Sequence, residues 1–129
     1  MTTTGTAPMI TKTRRLELLG GAIDGASAAL DELERLSNSP KPDEARHATA
    51  LLIVERNEVD DLKAIRAFLR DKDAKTLKPL SAEDVNNLTA LEDAIDKRMQ
   101  ASNLVNAGIA IASEVLRTSE AVGQILSEA

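Results

Sequence analysis

The feature that most constrains the fold is a proline-free stretch that runs from Ser81 almost to the end of the 129-residue chain. Ser81 is a favourable N-cap, and Glu83 and Asp84 place negative charge in the first turn, beside unpaired backbone N–H groups. Apolar or small side chains then recur at steps of about three and four, which keeps them on one helix face. They are Leu88, Leu91, Ile95, Ser102, Val105, Ile109, Ala112, Leu116 and Leu126.

A first helix is predicted from about residue 10 to residue 37. Its apolar side chains keep the same spacing across Gly20, Gly21 and Gly25. Each glycine weakens a helix by about 1 kcal/mol relative to alanine, but the unbroken phase favours one continuous, closely packed helix over a helix that begins at Ala22. The stripe consists of Leu16, Leu19, Ile23, Ala26, Leu30 and Leu33.

A second helix is predicted from residue 42 to about residue 71. Pro40 ends the first helix, and Pro42 suits the first position of the next one, with Asp43 and Glu44 beside its positive end. Its core stripe is Ala48, Leu52, Val59, Leu62 and Leu69, widened by Leu51, Ile65 and Phe68. We therefore expect a single all-α domain over residues 10–129, preceded by a flexible tail at residues 1–9.

The third helix leaves two architectures open. Helices of about 28 residues reach about 42 Å, whereas a helix over 82–127 would reach about 69 Å. The preferred prediction is an antiparallel three-helix bundle with a long C-terminal helix, whose second half pairs with another chain. The alternative is a four-helix up-down bundle with a break near residues 102–108. Asn103, Asn106 and Gly108 favour the break, but no proline or turn dipeptide accompanies them.

Composition argues against several classes of function. The absence of cysteine removes disulfides and thiolate metal ligands, and Phe68 is the only aromatic side chain, so aromatic-lined cofactor pockets are not expected. The net charge of −5 opposes binding to nucleic-acid phosphates. No apolar window approaches the roughly 18 residues of a transmembrane helix. No secretory signal is recognisable, so a cytoplasmic location is expected.

One pair of residues has a spacing that metal sites use. Glu44 and His47 form a Glu-x-x-His pair, which places both side chains on one helix face, and two such pairs contribute to di-iron carboxylate sites. Since the chain has one histidine, such a site would require two copies, with Glu55 or Glu58 as bridging ligands. The favoured interpretation is that Glu44 stabilises the helix start and that the chain holds no metal or other cofactor.

The remaining charged groups are interpreted as solvent-facing. Glu55, Glu58, Asp60 and Asp61 spread around one helix, which does not suit paired catalytic carboxylates. The basic stretch from Arg66 to Lys78 is interrupted by acidic residues and complements the end of the second helix. No nucleophile, phosphate-binding or zinc-protease motif is present, so we do not expect an enzyme.

The broad apolar face near the C-terminus predicts a structural or adaptor module. It should self-associate or bind a partner helix by coiled-coil or helix-in-groove pairing. The predicted contacts are Leu104, Val105, Gly108, Ile109, Ile111, Ala112, Val115 and Leu116. One alternative is an amphipathic coat on lipid or a hydrophobic granule, broadly resembling phasins. Its acidic polar faces do not favour anionic membranes. The second alternative is the oligomeric di-metal carboxylate protein that would use Glu44 and His47.

Overall fold

The part of the chain that the structure describes forms helices joined by short connections and contains no strand. It comprises residues 10–102 and 107–127 of a computed structural model. The helices are α1 (Lys12–Ser37), α2 (Pro42–Asp71), α3 (Ala82–Ser102) and α4 (Ile109–Ser127), with one 3₁₀ turn at Ala74–Thr76 between α2 and α3. The predicted all-α class is confirmed. The flexible tail predicted at residues 1–9 lies outside the described residues.

Local sequence signals determine where the first three helices begin. The Thr11 side chain accepts a hydrogen bond from the backbone N–H of Arg14 at 3.1 Å, and Ser81 accepts one from Asp84 at 3.0 Å. Pro42 is in the first turn of α2, which also contains Asp43 and Glu44. A helix N-terminus depends on side chains within a few residues, so these starts are readable from the sequence.

The long C-terminal helix predicted over residues 82–127 is wrong, because α3 ends at Ser102 and α4 begins at Ile109. Gly108 has a φ of +91°, a left-handed value that glycine adopts easily and that a continuous α-helix does not contain. Arg98 and Glu114 form an ion pair at 2.9 Å. In one continuous helix their positions would be about 24 Å apart. α4 therefore folds back and packs against α3, α1 and α2.

α1 and α4 each contact the three other helices, and α1 makes the more extensive contacts, chiefly with α2 and α4. Its inward face is rich in small side chains, and Ala26 and Ala29 are buried there. A Cβ atom at Gly25 would lie 2.9 Å from Cγ2 of Ile95 in α3 and 3.4 Å from Cγ1 of Val115 in α4. The predicted continuity of the glycine-containing helix is confirmed. Of the three glycines in α1, Gly25 is the one that side chains of two neighbouring helices approach closely among the described residues.

Two buried charged side chains of α1 hold the connections between the other helices. The guanidinium of Arg15 donates a hydrogen bond to the carbonyl of Lys78 at 2.7 Å, between α2 and α3. The carboxylate of Glu32 accepts one from the N–H of Gly108 at 2.7 Å, beside the start of α4, and also pairs with Arg35. Arg15 and Glu32 are each only 3% exposed. The two ends of α1 thus fix where the chain enters α3 and α4.

Alanine substitutions at two glycines test the close packing of α1. Gly25→Ala should be about 1 to 3 kcal/mol less stable than Gly21→Ala, because only the methyl group at position 25 would overlap a neighbouring side chain. Among the described residues, no packing neighbour lies within 4 Å of the Cβ position at Gly21. Both substitutions gain the same helix propensity, so the difference isolates the overlap. Urea denaturation measures it, and equal stabilities would contradict the packing.

Candidate functional site

The side chains predicted to bind a partner are divided between the core and the surface of α4. Leu104 and Val105 lie outside the described residues. Gly108, Ile109 and Ile111 are partly buried. Ala112, Val115 and Leu116 are at most 1% exposed and belong to the core. The chain itself covers these three, so the closed molecule offers another chain only part of the predicted stripe.

The two weak metal candidates lie at the start of α2. Glu44 is partly buried and His47 is exposed, and in the same turn Arg46 pairs with Asp43. Within residues 10–102 and 107–127, no three His, Asp or Glu side chains are grouped so that they could hold a metal ion. Glu55 and Glu58, the predicted bridging ligands, face α4 instead, as described next.

A group of carboxylates lies between α2 and α4, where Glu120 approaches Glu55 and Glu58. Burial is the main cause that raises the pKa of Glu120 to about 7. A hydrogen bond with Glu55 and the negative charge of Glu55 raise this pKa further, whereas the positive charge of Arg117 lowers it. The charge of Glu120, then burial and Asp61, raise the pKa of Glu58. Oε2 of Glu55 is buried and has no hydrogen-bond partner among the described residues. Glu120 therefore takes up a proton as the pH falls through about 7.

These α2 carboxylates were predicted to lie on a solvated face, and the sequence did not indicate that Glu120 lies beside them. Glu120 is separated from Glu58 by more than sixty residues, and only the fold brings α4 against α2. Glu58 and Glu120 also line a cavity of about 160 Å³, whose other walls include Leu62, Ile65 and Gly123. The chemical capacity of the group is the uptake of one proton as the pH falls through about 7.

Three large apolar side chains on the outward side of α2 form the most exposed hydrophobic surface that the structure describes. Ile53, Val54 and Phe68 are 65%, 55% and 56% exposed. The prediction that Phe68 widens the core stripe is wrong, since its ring lies at the surface with the ammonium of Lys72 5.2 Å from the ring centroid. The sequence contained a signal for this face, because Val54 and Phe68 lie on the side of α2 opposite its core stripe.

The outward positions of α2 repeat at steps of four and three, which is the spacing of a helix-pairing seam. All of them are exposed. We name them the α2 stripe, and they are Ala50, Val54, Asn57, Asp61, Ala64 and Phe68.

Comparison with other proteins gives no independent indication of function. No protein-family model matches the sequence, and neither curated proteins nor solved structures provide a match. Among the helices that the structure describes, none has the length and apolar character needed to cross a membrane. The function is therefore inferred from the surfaces and side chains of this chain.

The raised pKa of Glu120 predicts how the free energy of unfolding changes with pH. As the pH rises from about 4.5 through about 7, the folded state must release a proton that the unfolded chain has already lost, so this contribution to stability disappears. Glu120→Gln keeps the shape of the protonated acid. Compared with the unmodified chain, this variant should gain more free energy of unfolding at pH 8 than at pH 5. The difference should be on the order of 1 kcal/mol after allowance for solvent screening.

The control for this effect is Glu34→Gln, which makes the same change in charge at an exposed position of α1. Urea denaturation at both pH values should show no pH-dependent gain for the control. If Glu120→Gln changed the free energy of unfolding equally at pH 5 and pH 8, the raised pKa of Glu120 would be refuted.

Proposed function

We propose that the protein is a non-enzymatic helical module that self-associates, with α2 of one copy packed antiparallel against α2 of a second copy. The observation that carries this proposal is that Ile53, Val54 and Phe68, the exposed large hydrophobic side chains of the described residues, all lie on α2. Helices with such a seam gain stability by burying it against another helix. The proposal keeps the predicted mode of pairing and moves the contact from α4 to α2.

The α2 stripe complements itself when two copies run in opposite directions. In a two-fold arrangement centred near residue 59, Phe68 faces Ala50 and Val54 faces Ala64, so that a large side chain meets a small one in each pair. Asn57 then faces Asp61, and an amide N–H can donate to a carboxylate. A two-fold contact repeats each pair twice, as is typical of homodimers.

The proposal uses a single chain folded as a closed four-helix up-down bundle. A hydrogen bond from Nζ of Lys12 to the carbonyl of Arg70, 2.6 Å long, brings the start of α1 to the end of α2 and supports an antiparallel first pair. The Arg98–Glu114 ion pair supports the same relation between α3 and α4. In this arrangement the core stripe of α2 is covered within the chain, and the α2 stripe remains available.

A matched pair of substitutions tests the α2 contact. Ala64→Glu should convert dimers to monomers, because it places a charge without a partner opposite the apolar side chain of Val54. Ala90→Glu makes the same substitution at an exposed position of α3 and should leave the mass unchanged. Light scattering at several protein concentrations measures the mass against the 13.8 kDa of one chain.

Two results would contradict this proposal. One is a monomer at every concentration. The other is dissociation by Ile109→Asp in α4 together with an intact dimer for Ala64→Glu, which would return the interface to the originally predicted α4 stripe. Circular dichroism of each variant confirms that the helices remain folded.

A further inference from the structure

A cavity of about 240 Å³ lies where the start of α1 meets the segment between α2 and α3. Two positively charged side chains, Lys12 and Arg15, line it together with an apolar wall. The apolar wall includes Ile10, Leu77, Pro79 and Leu80. The cavity is separate from the α2 stripe, and none of its lining residues belongs to the proposed dimer contact.

Arg15 has no carboxylate partner in the described part of the chain. Its Nε donates to the carbonyl of Ile10 at 3.3 Å and its Nη2 to the carbonyl of Lys78 at 2.7 Å. The third nitrogen, Nη1, is buried without a hydrogen-bond partner among the described residues. Burial lowers the pKa of Arg15, because the charged guanidinium has lost its hydration. An anion beside it would relieve this unfavourable state.

Neighbouring groups add to the positive potential at this end of α1. The ammonium of Lys12 uses one N–H for the carbonyl of Arg70 and has further donors. The first turn of α1 contains no acidic side chain to complement the positive end of the helix. Arg14 differs, because it is already paired with Glu17 and Glu92.

We propose that this cavity binds a small organic monocarboxylate, with the carboxylate paired to Arg15 and Lys12 and the alkyl chain against the apolar wall. The planar guanidinium suits a carboxylate, since it can donate through two N–H groups. The volume of about 240 Å³ equals roughly eight water molecules, which is room for a chain of about six to eight carbons. An inorganic anion would leave the apolar wall unfilled.

Octanoate is the probe for this site. Added to the isotope-labelled full chain, it should shift the amide resonances of residues 10–15 and 74–80. It should also raise the melting temperature, because a ligand that binds only the folded state stabilises it. 1-Octanol has the same chain without the charge, and acetate has the charge without the chain. Each should bind at least about tenfold more weakly than octanoate.

Two variants separate binding from folding. Arg15→Gln should weaken octanoate binding about tenfold or more, but Arg15 also holds Lys78 in place. Ala74→Leu keeps Arg15 and fills the cavity, which Ala74 lines, and should weaken binding at least as much. Ala90→Leu makes the same substitution at an exposed position of α3, and octanoate should bind it as it binds the unmodified chain.

Three outcomes would overturn the monocarboxylate site. The first is the absence of any shift in residues 10–15 with about 10 mM octanoate. The second is equal affinity of octanoate for Ala74→Leu and the unmodified chain. The third is a set of shifts confined to the α2 stripe. Ala64→Glu should leave octanoate binding unchanged, so failure of the dimer proposal and failure of this one are distinguishable.

Discussion

The close approach of helices at the small-residue face of α1 is the constraint on which the rest of the structure depends. At Gly25 the side chains of Ile95 and Val115 occupy the space that a Cβ atom would fill. This close approach brings α3 and α4 against α1, which also contacts α2. A chain with almost no aromatic side chains forms its core in this way, because close backbones let many small aliphatic contacts accumulate.

The same helix carries the buried charges that organise the connections. Arg15 and Glu32 reach the segments before α3 and α4 through hydrogen bonds to backbone groups. Their situations differ in charge balance. Glu32 is paired with Arg35, whereas within residues 10–102 and 107–127 the hydrogen bonds of Arg15 go to carbonyls alone and its Nη1 has none. This asymmetry makes one end of the fold a closed structural contact and the other a place where an anion fits.

α2 separates two kinds of surface on one helix. Toward α4 it presents Glu55 and Glu58, and in this interface burial and a hydrogen bond with Glu55 raise the pKa of Glu120. Away from the bundle it presents apolar side chains that the described part of the chain leaves exposed. The first surface adjusts the stability of the single chain, and the second supplies the contact that we propose for a second copy.

The sequence by itself determined the all-α class, the core stripes of α1 and α2 and the start signals at Pro42 and Ser81, because periodicity and capping act over a few residues. Tertiary structure decided the division of the last helix at Gly108, the burial of Arg15 and the meeting of Glu120 with Glu55. It also left Phe68 outside the core. Each of these depends on which segments far apart in the chain come together, and a one-dimensional pattern specifies that only weakly.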